Sequence, residues 1–309
     1  MGYGKIRQKR FLLAFCIICL LGPLLAGCIF DETGSLRLTV PAVAAGEIQK
    51  MLGEGFREYE VKPELYFDGH SLAYDSAEDV YYITQNMGDG FFSGVLKSSE
   101  GRLYWQKDRY FTEFADALAK GHLFSLYCID EDTKNWCRYR VVFSGMPIMV
   151  IETQDGGMIR DDTCDGEMRL FDLRFPGREY VSASCQTNIR GGTSRGFAKK
   201  GYKLTLDDKQ SLLGMRRDED WILAALYDDH GLIHNKFSYD VWRDIAGSNL
   251  VKKDGGTTME YVELFCNDTY LGVYGLIERI DAKELSLGET EDILYKCYGR
   301  ELPEESLDW

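Results

Sequence analysis

Residues 189–206, IRGGTSRGFAKKGYKLTL, place a Gly-, Ser- and Arg-rich turn directly before two lysines and a strand of alternating polarity. The order demands a strand, a tight turn and a second strand. Gly191, Gly192 and Gly196 open backbone conformations closed to other residues, so successive N–H groups can converge on one concavity and hold phosphate oxygens. If the alternation starts at Lys200, that lysine shares a face with Tyr202, Leu204 and Leu206, while Lys199, Lys203 and Thr205 face the other way. An inward lysine on a buried face needs an anionic partner. The alternative is a surface hairpin with solvated basic residues, because lone Gly-rich loops are common. Arg190 and Arg195 either clamp phosphate bidentately or pair with acidic surface residues.

The segments that follow have their own periodicities. The run MPIMVIET at 146–153 is a strand preceding the turn. Asp218 or Asp220 is placed to cap a helix carrying Trp221, Leu223, Ala224 and Leu226. A longer helix bears Ile233, Phe237, Val241 and Ile245 at four-residue spacing and ends near Gly247, and this stripe is expected to be core. YVELFC and YLGVYGLIERI flank Asn267-Asp268 as an antiparallel hairpin. Glu263 and Glu278 then fall on opposite faces, and either is a candidate partner for the lysine.

The blocks LLGM at 212–215, DWILAALYDD at 220–229, LIHNKFSYDV at 232–241 and YVELFCNDTYLGVYGLIERID at 261–281 stand in a characteristic order. In that order and spacing the chain resembles the CotH family of spore-coat-type proteins over roughly residues 146–281. The resemblance implies the smaller, nucleotide-clamping lobe of a distant protein-kinase-like fold. In such lobes a strand lysine reaches the phosphates, an acidic residue on the helix orients it, and the chain leaving the hairpin lies along the adenine. It thereby implies ATP with Mg or Mn as cofactor, Lys200 as the phosphate lysine, residues 276–279 at the adenine, and Arg190, Gly191, Gly192, Ser194, Asn235 and Glu278 around the nucleotide. Asp228, Asn235 and Lys236 fall in the most characteristic helix block; His234 stands where members of the family commonly carry Arg. The implied activity is phosphorylation of Ser-rich protein substrates. The family's metal-holding aspartates are expected in a helical lobe beyond the hairpin, and the chain stops at Trp309 before any such segment. A fragment, a deliberately short chain and a member that only binds are the three readings; the abrupt acidic ending favours a fragment. Catalytic and metal-ligating residues are therefore not assigned. The rival to a kinase is a membrane-anchored surface binding or structural lipoprotein.

Charge and the N-terminus bear on compartment. The formal net charge is −14 even though Lys5, Arg7, Lys9 and Arg10 crowd the start, which argues against nucleic acid as a partner. After the basic start come an apolar stretch at 11–21, Gly22-Pro23 and Leu25-Ala26-Gly27-Cys28. This pattern reads as a lipoprotein signal peptide over 1–27, with the Cys28 thiol accepting the lipid. The expected location is extracytoplasmic and lipid-anchored, with the spore coat as the alternative. The remaining cysteines are Cys128, Cys137, Cys164, Cys185, Cys266 and Cys297, without the CxxC spacing of a zinc or redox site. Cys128 and Cys137 flank a turn in LFSLYCIDEDTKNWCRYRVVF, where a hairpin sets them opposite each other and a cross-strand disulfide would follow export.

Residues 28–143 show short alternating runs bounded by Gly, Asp and Ser. VYYITQNM at 80–87 and FFSGVLKS at 91–98, joined by Gly88-Asp89-Gly90, are expected to pair as a hairpin. YFTEFADALAKG at 110–121 has helical spacing and a glycine stop. The expected fold class is α+β: a β-rich domain over 28–143, a spacer or partner-binding module, then an incomplete kinase-like domain over 144–309.

Overall fold

The computed structural model describes residues 40–85, 95–173, 180–247, 256–281, 283 and 287. The lipidation expected at Cys28, the turn at 88–90, the thiol of Cys297 and the acidic ending lie outside the described residues. The architecture is α+β and dominated by strands. It divides into two compact units at Gly145 and Met146, with the short segment Tyr74–Ala77 belonging to the second. Among the described residues no helix is long and apolar enough to cross a membrane.

The first unit contains β1 (Ala42–Val43), α1 (Ala45–Met51), β2 (Arg57–Glu58), β3 (Leu65–Phe67), β4 (His70–Ser71), β5 (Ala73–Asp75, of which only Ala73 is assigned to this unit), β6 (Val80–Thr84), β7 (Leu96–Ser98), β8 (Arg102–Gln106), α2 (Phe114–Lys120), β9 (Leu123–Asp130) and β10 (Asn135–Ser144). Its sheet runs β1-β8-β9-β10-β6, with β2 also on β10. The hairpin of β9 and β10 forms because Asp130 organises the turn, its carboxylate accepting from Asp132 N, Thr133 N and the Thr133 hydroxyl. Lys134 adopts a φ of 58° to close it. Helix α2 stops at Gly121, which is left-handed with a φ of 58° and donates back to the last turn, as a glycine stop should. The expected pairing of 80–87 with 91–98 is not found among the described residues. β6 instead lies parallel to β10, and β7 joins β3. Ile83 and Leu96 are each buried, but in separate sheets, so local alternation was satisfied by non-local partners.

The second unit is a closed seven-stranded barrel in the order β11-β12-β13-β14-β15-β17-β16. Its strands are β11 (Ile148–Thr153), β12 (Cys164–Phe171), β13 (Tyr180–Arg190), β14 (Gly201–Ser211), β15 (Arg217–Ala224), β16 (Met259–Cys266) and β17 (Thr269–Glu278), with helix α3 (His234–Gly247) between β15 and β16. Closure comes from parallel pairing of β11 with β16, Ile148 opposite Glu263 and Ile151 opposite Cys266. The interior is filled by Met149, Ile151, Met168, Leu170, Leu204, Leu206, Trp221, Leu223, Val262, Leu264, Tyr274 and Leu276. A closed barrel has no free edge to pair with another chain, and alternation sends every second side chain inward.

Two expectations are corrected here. Residues 217–224 form strand β15, not a capped helix: Trp221 and Leu223 point into the core while Ile222 and Ala224 face the helix side. The spacing of two between Trp221 and Leu223 outweighs the helix propensity of the Leu-Ala-Ala stretch, because burying both inside a sheet removes more apolar surface from water. Helix α3 is present where expected, but its Ile233, Phe237, Val241 and Ile245 stripe is exposed; Phe237 is 68% exposed and Ile245 60%. Leu232 before the helix and Tyr239 within it supply the packing, against Leu226, Met259 and Ile277. The hairpin around Asn267 forms as expected, with Asn267 left-handed at a φ of 51°.

Candidate functional site

The pairing register builds a row of side chains across the outer wall of the barrel. Asn188 on β13 lies opposite Lys203 on β14, Lys203 opposite Ile222 on β15, and Ile222 opposite Ile277 on β17. Tyr239 from α3 and the Arg190–Gly191 turn flank this row, leaving a cleft of about 700 Å³. Arg190, Arg195, Lys203 and Arg279 line it together with Ile222, Ile277 and Ile280. A chain of net charge −14 thus gathers four cations beside an apolar floor, an arrangement suited to an anion with a flat apolar body.

Three of these cations, Lys203, Arg195 and Arg279, are paired with acids. Asp220 accepts from the Thr205 hydroxyl at 3.1 Å and from Arg279 at 3.1 Å, and lies 3.7 Å from the Lys203 ammonium. The acid beside the cleft lysine therefore comes from the adjoining strand, whereas the resemblance placed it on the helix. On α3, Asp240 pairs with Lys236 at 2.9 Å. Arg195 is tied to Asp161.

The loop before β14 behaves differently from the phosphate nest expected of it. Gly191 has a φ of 123°, and a Cβ there would sit 2.1 Å from Ser194 Oγ, so only glycine fits; at Gly192 and Gly196 nothing crowds the missing Cβ. Thr193–Gly196 form a 3-10 turn. Arg195 N donates to Gly192 O and Phe197 N to Ser194 O, so those two amides are consumed inside the turn.

The lysines exchange their expected places. Lys200 does not share the inward face: its ammonium donates to Arg195 O at 2.6 Å in an exposed setting and braces the turn. Lys199 is the half-buried one, donating to Val273 O, with its nitrogen 4.2 Å from the centre of the Tyr274 ring. Burial pushes the Lys199 ammonium below the usual lysine range, against the opposing pull of Glu263. The interior phenol of Tyr274 holds Lys200 O at 2.9 Å, so the chain is pinned at the strand entrance and the alternation starts at Gly201. Lys203, on the face away from the core, is the lysine that enters the cleft.

The other predicted residues are dispersed. Arg190 and Gly191 line the cleft, while Gly192 is exposed and Ser194 half-buried in the adjoining turn. Glu278 lies at the cleft rim, buried, with its carboxylate accepting from Arg216 N at 2.7 Å and Thr258 N at 3.0 Å. Those bonds fasten the end of β17, so Glu278 is no partner for Lys203. Glu263, also buried, accepts from the Tyr270 hydroxyl. Asn235 is exposed in the first turn of α3. His234 donates from both its backbone N–H and Nδ1 to Asp229, at 2.7 and 2.6 Å. Burial raises the Asp229 carboxyl but these bonds outweigh it, leaving it below the usual carboxylate range. Asp229 is thereby the cap of α3, and Asp228 is exposed.

Sequence reasoning gave Lys203 and Asp220 no role at the site, and it placed Arg279 only within the 276–279 stretch along the adenine. The signal for Lys203 and Asp220 was the outward half of the β14 and β15 alternation. Among the described residues no group of three or more His, Cys, Asp or Glu side chains could hold a metal ion. No chemical step is therefore routed through a metal.

Residues 187–308 match a family model described as CotH kinase protein. That span begins in β13 and takes in the turn, the cleft strands, α3 and the final hairpin; over it the chain is similar to the CotH family. No curated protein matches the chain.

Proposed function

We propose that the second unit is the nucleotide-clamping lobe of a CotH-type atypical protein kinase, with the phosphates of ATP on the cationic side of the cleft and the base on its apolar floor. The observation that carries this reading is the juxtaposition of Lys203, Arg190, Arg195 and Arg279 with Ile222, Ile277 and Ile280 around one cleft of nucleotide size. The element order supports it, since a helix followed by a hairpin succeeds the lysine strand, as the kinase-like resemblance requires. Lys203, oriented by Asp220, takes the phosphate role first given to Lys200, and residues 277–280 border the base. Transfer to Ser-rich proteins, a requirement for Mg or Mn, and an extracytoplasmic life on a Cys28-linked lipid complete the proposal as what the family and the N-terminal sequence imply.

The test is titration of the full chain with a fluorescent ATP analogue, with and without Mg²⁺. Saturable binding is expected, and Lys203→Ala should weaken it about tenfold or more, because a charge-assisted hydrogen bond contributes roughly 1.5–3 kcal/mol. Lys200→Ala should change it far less. A folded chain that binds no nucleotide overturns the proposal and leaves a surface binding protein.

A further inference from the structure

The first unit holds two thiols that the nucleotide cleft does not involve. Cys128 on β9 and Cys137 on β10 stand directly opposite each other in an antiparallel ladder, and each is 0% exposed. Opposed residues in such a ladder have Cα atoms roughly 4.5–5.5 Å apart, inside the range of roughly 4.4–6.8 Å that a disulfide spans. Joining them therefore needs no change of strand register. Cys164, Cys185 and Cys266 differ: Cys164 lies opposite Thr187, Cys185 opposite Gly166, and Cys266 opposite Thr269 and Ile151. Opposed cysteines occur, among the described residues, only in the β9–β10 hairpin.

A route to one sulfur is built in. Cys128 Sγ donates to Glu100 O at 3.1 Å and lies 3.6 Å from Ser98 Oγ. Gly101 has a φ of 65°, and a Cβ there would come within 2.8 Å of that sulfur. Ser98 and Gly101 in turn line a cleft of about 400 Å³ in the first unit. The missing side chain at Gly101 thus leaves room beside Cys128 Sγ on the side of that cleft.

We propose that Cys128 and Cys137 are a redox pair that closes to a cross-strand disulfide when the chain meets a disulfide oxidant. The Cys128 thiolate attacks one sulfur of the oxidant, forming a mixed disulfide and expelling one thiolate. The Cys137 thiolate then attacks Cys128 Sγ and expels the second. Two electrons pass to the oxidant, which leaves as two thiols carrying the two protons. The bond locks the register of the hairpin on which β8, β6 and β2 are assembled.

The test equilibrates the folded full chain with oxidised or reduced glutathione, alkylates the remaining thiols after denaturation, and maps tryptic peptides by mass. Lys134 lies between the two cysteines, so trypsin separates them and a disulfide appears as a linked peptide pair two hydrogens lighter than its thiols. The expected result is that pair in oxidised buffer, its loss in reduced buffer, and a higher unfolding midpoint when oxidised. In Cys137→Ser the expected product is a single glutathione adduct on Cys128. Full alkylation of both cysteines after oxidation of the wild-type chain, or linkage of Cys128 to a different cysteine, overturns the proposal whether or not the variant folds.

Discussion

The two faces of strands β14, β15 and β17 divide labour. Inward, Leu204, Trp221, Leu223 and Leu276 are at most 1% exposed and fill the barrel. Outward, Lys203, Asp220, Ile222 and Ile277 belong to the cleft and its ion pairs. One alternation therefore supplies both stability and recognition, and substitutions one residue apart should report on different properties. The lesson extends to lysines. Lys199 anchors the strand entrance, Lys200 braces the turn, and Lys203 faces the cleft, three uses within five residues.

The largest test of this division is Trp221→Ala, which opens a cavity in the barrel core and should cost about 3–5 kcal/mol; a lowered denaturant midpoint with loss of folded signal from the second unit is the expected readout. A cost under about 1 kcal/mol would break the claim that the inner face carries the stability. Next, Gly191→Ala must place a Cβ against Ser194 Oγ at a φ of 123°, and about 1–3 kcal/mol of strain is expected. Because Gly191 borders the cleft, nucleotide affinity should fall with it, whereas Gly192→Ala, with nothing near its Cβ, should leave both nearly unchanged.

An acid titration sharpens the comparison on the ionic side. Burial raises the Asp218 carboxyl, but its bond from Lys283 at 2.6 Å, the Glu219 amide and the charge of Arg216 bring it below its ordinary 3.8. A carboxyl depressed in the folded state contributes stability that is complete above about pH 3.8 and is lost as pH falls through its lower folded value. Unfolding followed from pH 5 downward, values set for the experiment to bracket about 3.8, should show that loss, and Asp218→Asn should flatten it. The smallest effect is expected at Phe237, 68% exposed on α3. Phe237→Ser should change stability by no more than about 0.5 kcal/mol, in contrast with Trp221, although both are large aromatic residues in regular elements.

Local signals made several elements readable. Asn267-Asp268 between two apolar runs, the Asp130 turn between Cys128 and Cys137, and the Gly121 stop of α2 each act through neighbours only a few residues away. The same locality explains the misses. Whether Trp221 and Leu223 ride on a helix or a strand depends on β14 and β17 on either side, and sequence spacing over 220–226 does not hold that information. The α3 stripe was readable as a stripe, but its burial depends on which neighbour packs where, and Tyr239 met the barrel instead.

The cleft was legible in part. The cationic turn and the strand lysines drew notice from their composition, and Arg190 and Gly191 line the cleft. The choice among Lys199, Lys200 and Lys203 was not legible, because it turns on where the alternation begins, and that point is fixed by Tyr274 holding Lys200 O from a strand some 70 residues away.

By itself the sequence determined the alternations, the turns, the helices α2 and α3, the opposed cysteines and the family likeness, since each rests on spacing along the chain. Only the tertiary structure decided barrel closure through the parallel pairing of β11 and β16, the side of the wall that became a cleft, and the lysine that faces it. Those outcomes depend on register between distant strands, where a one-residue change exchanges core for surface.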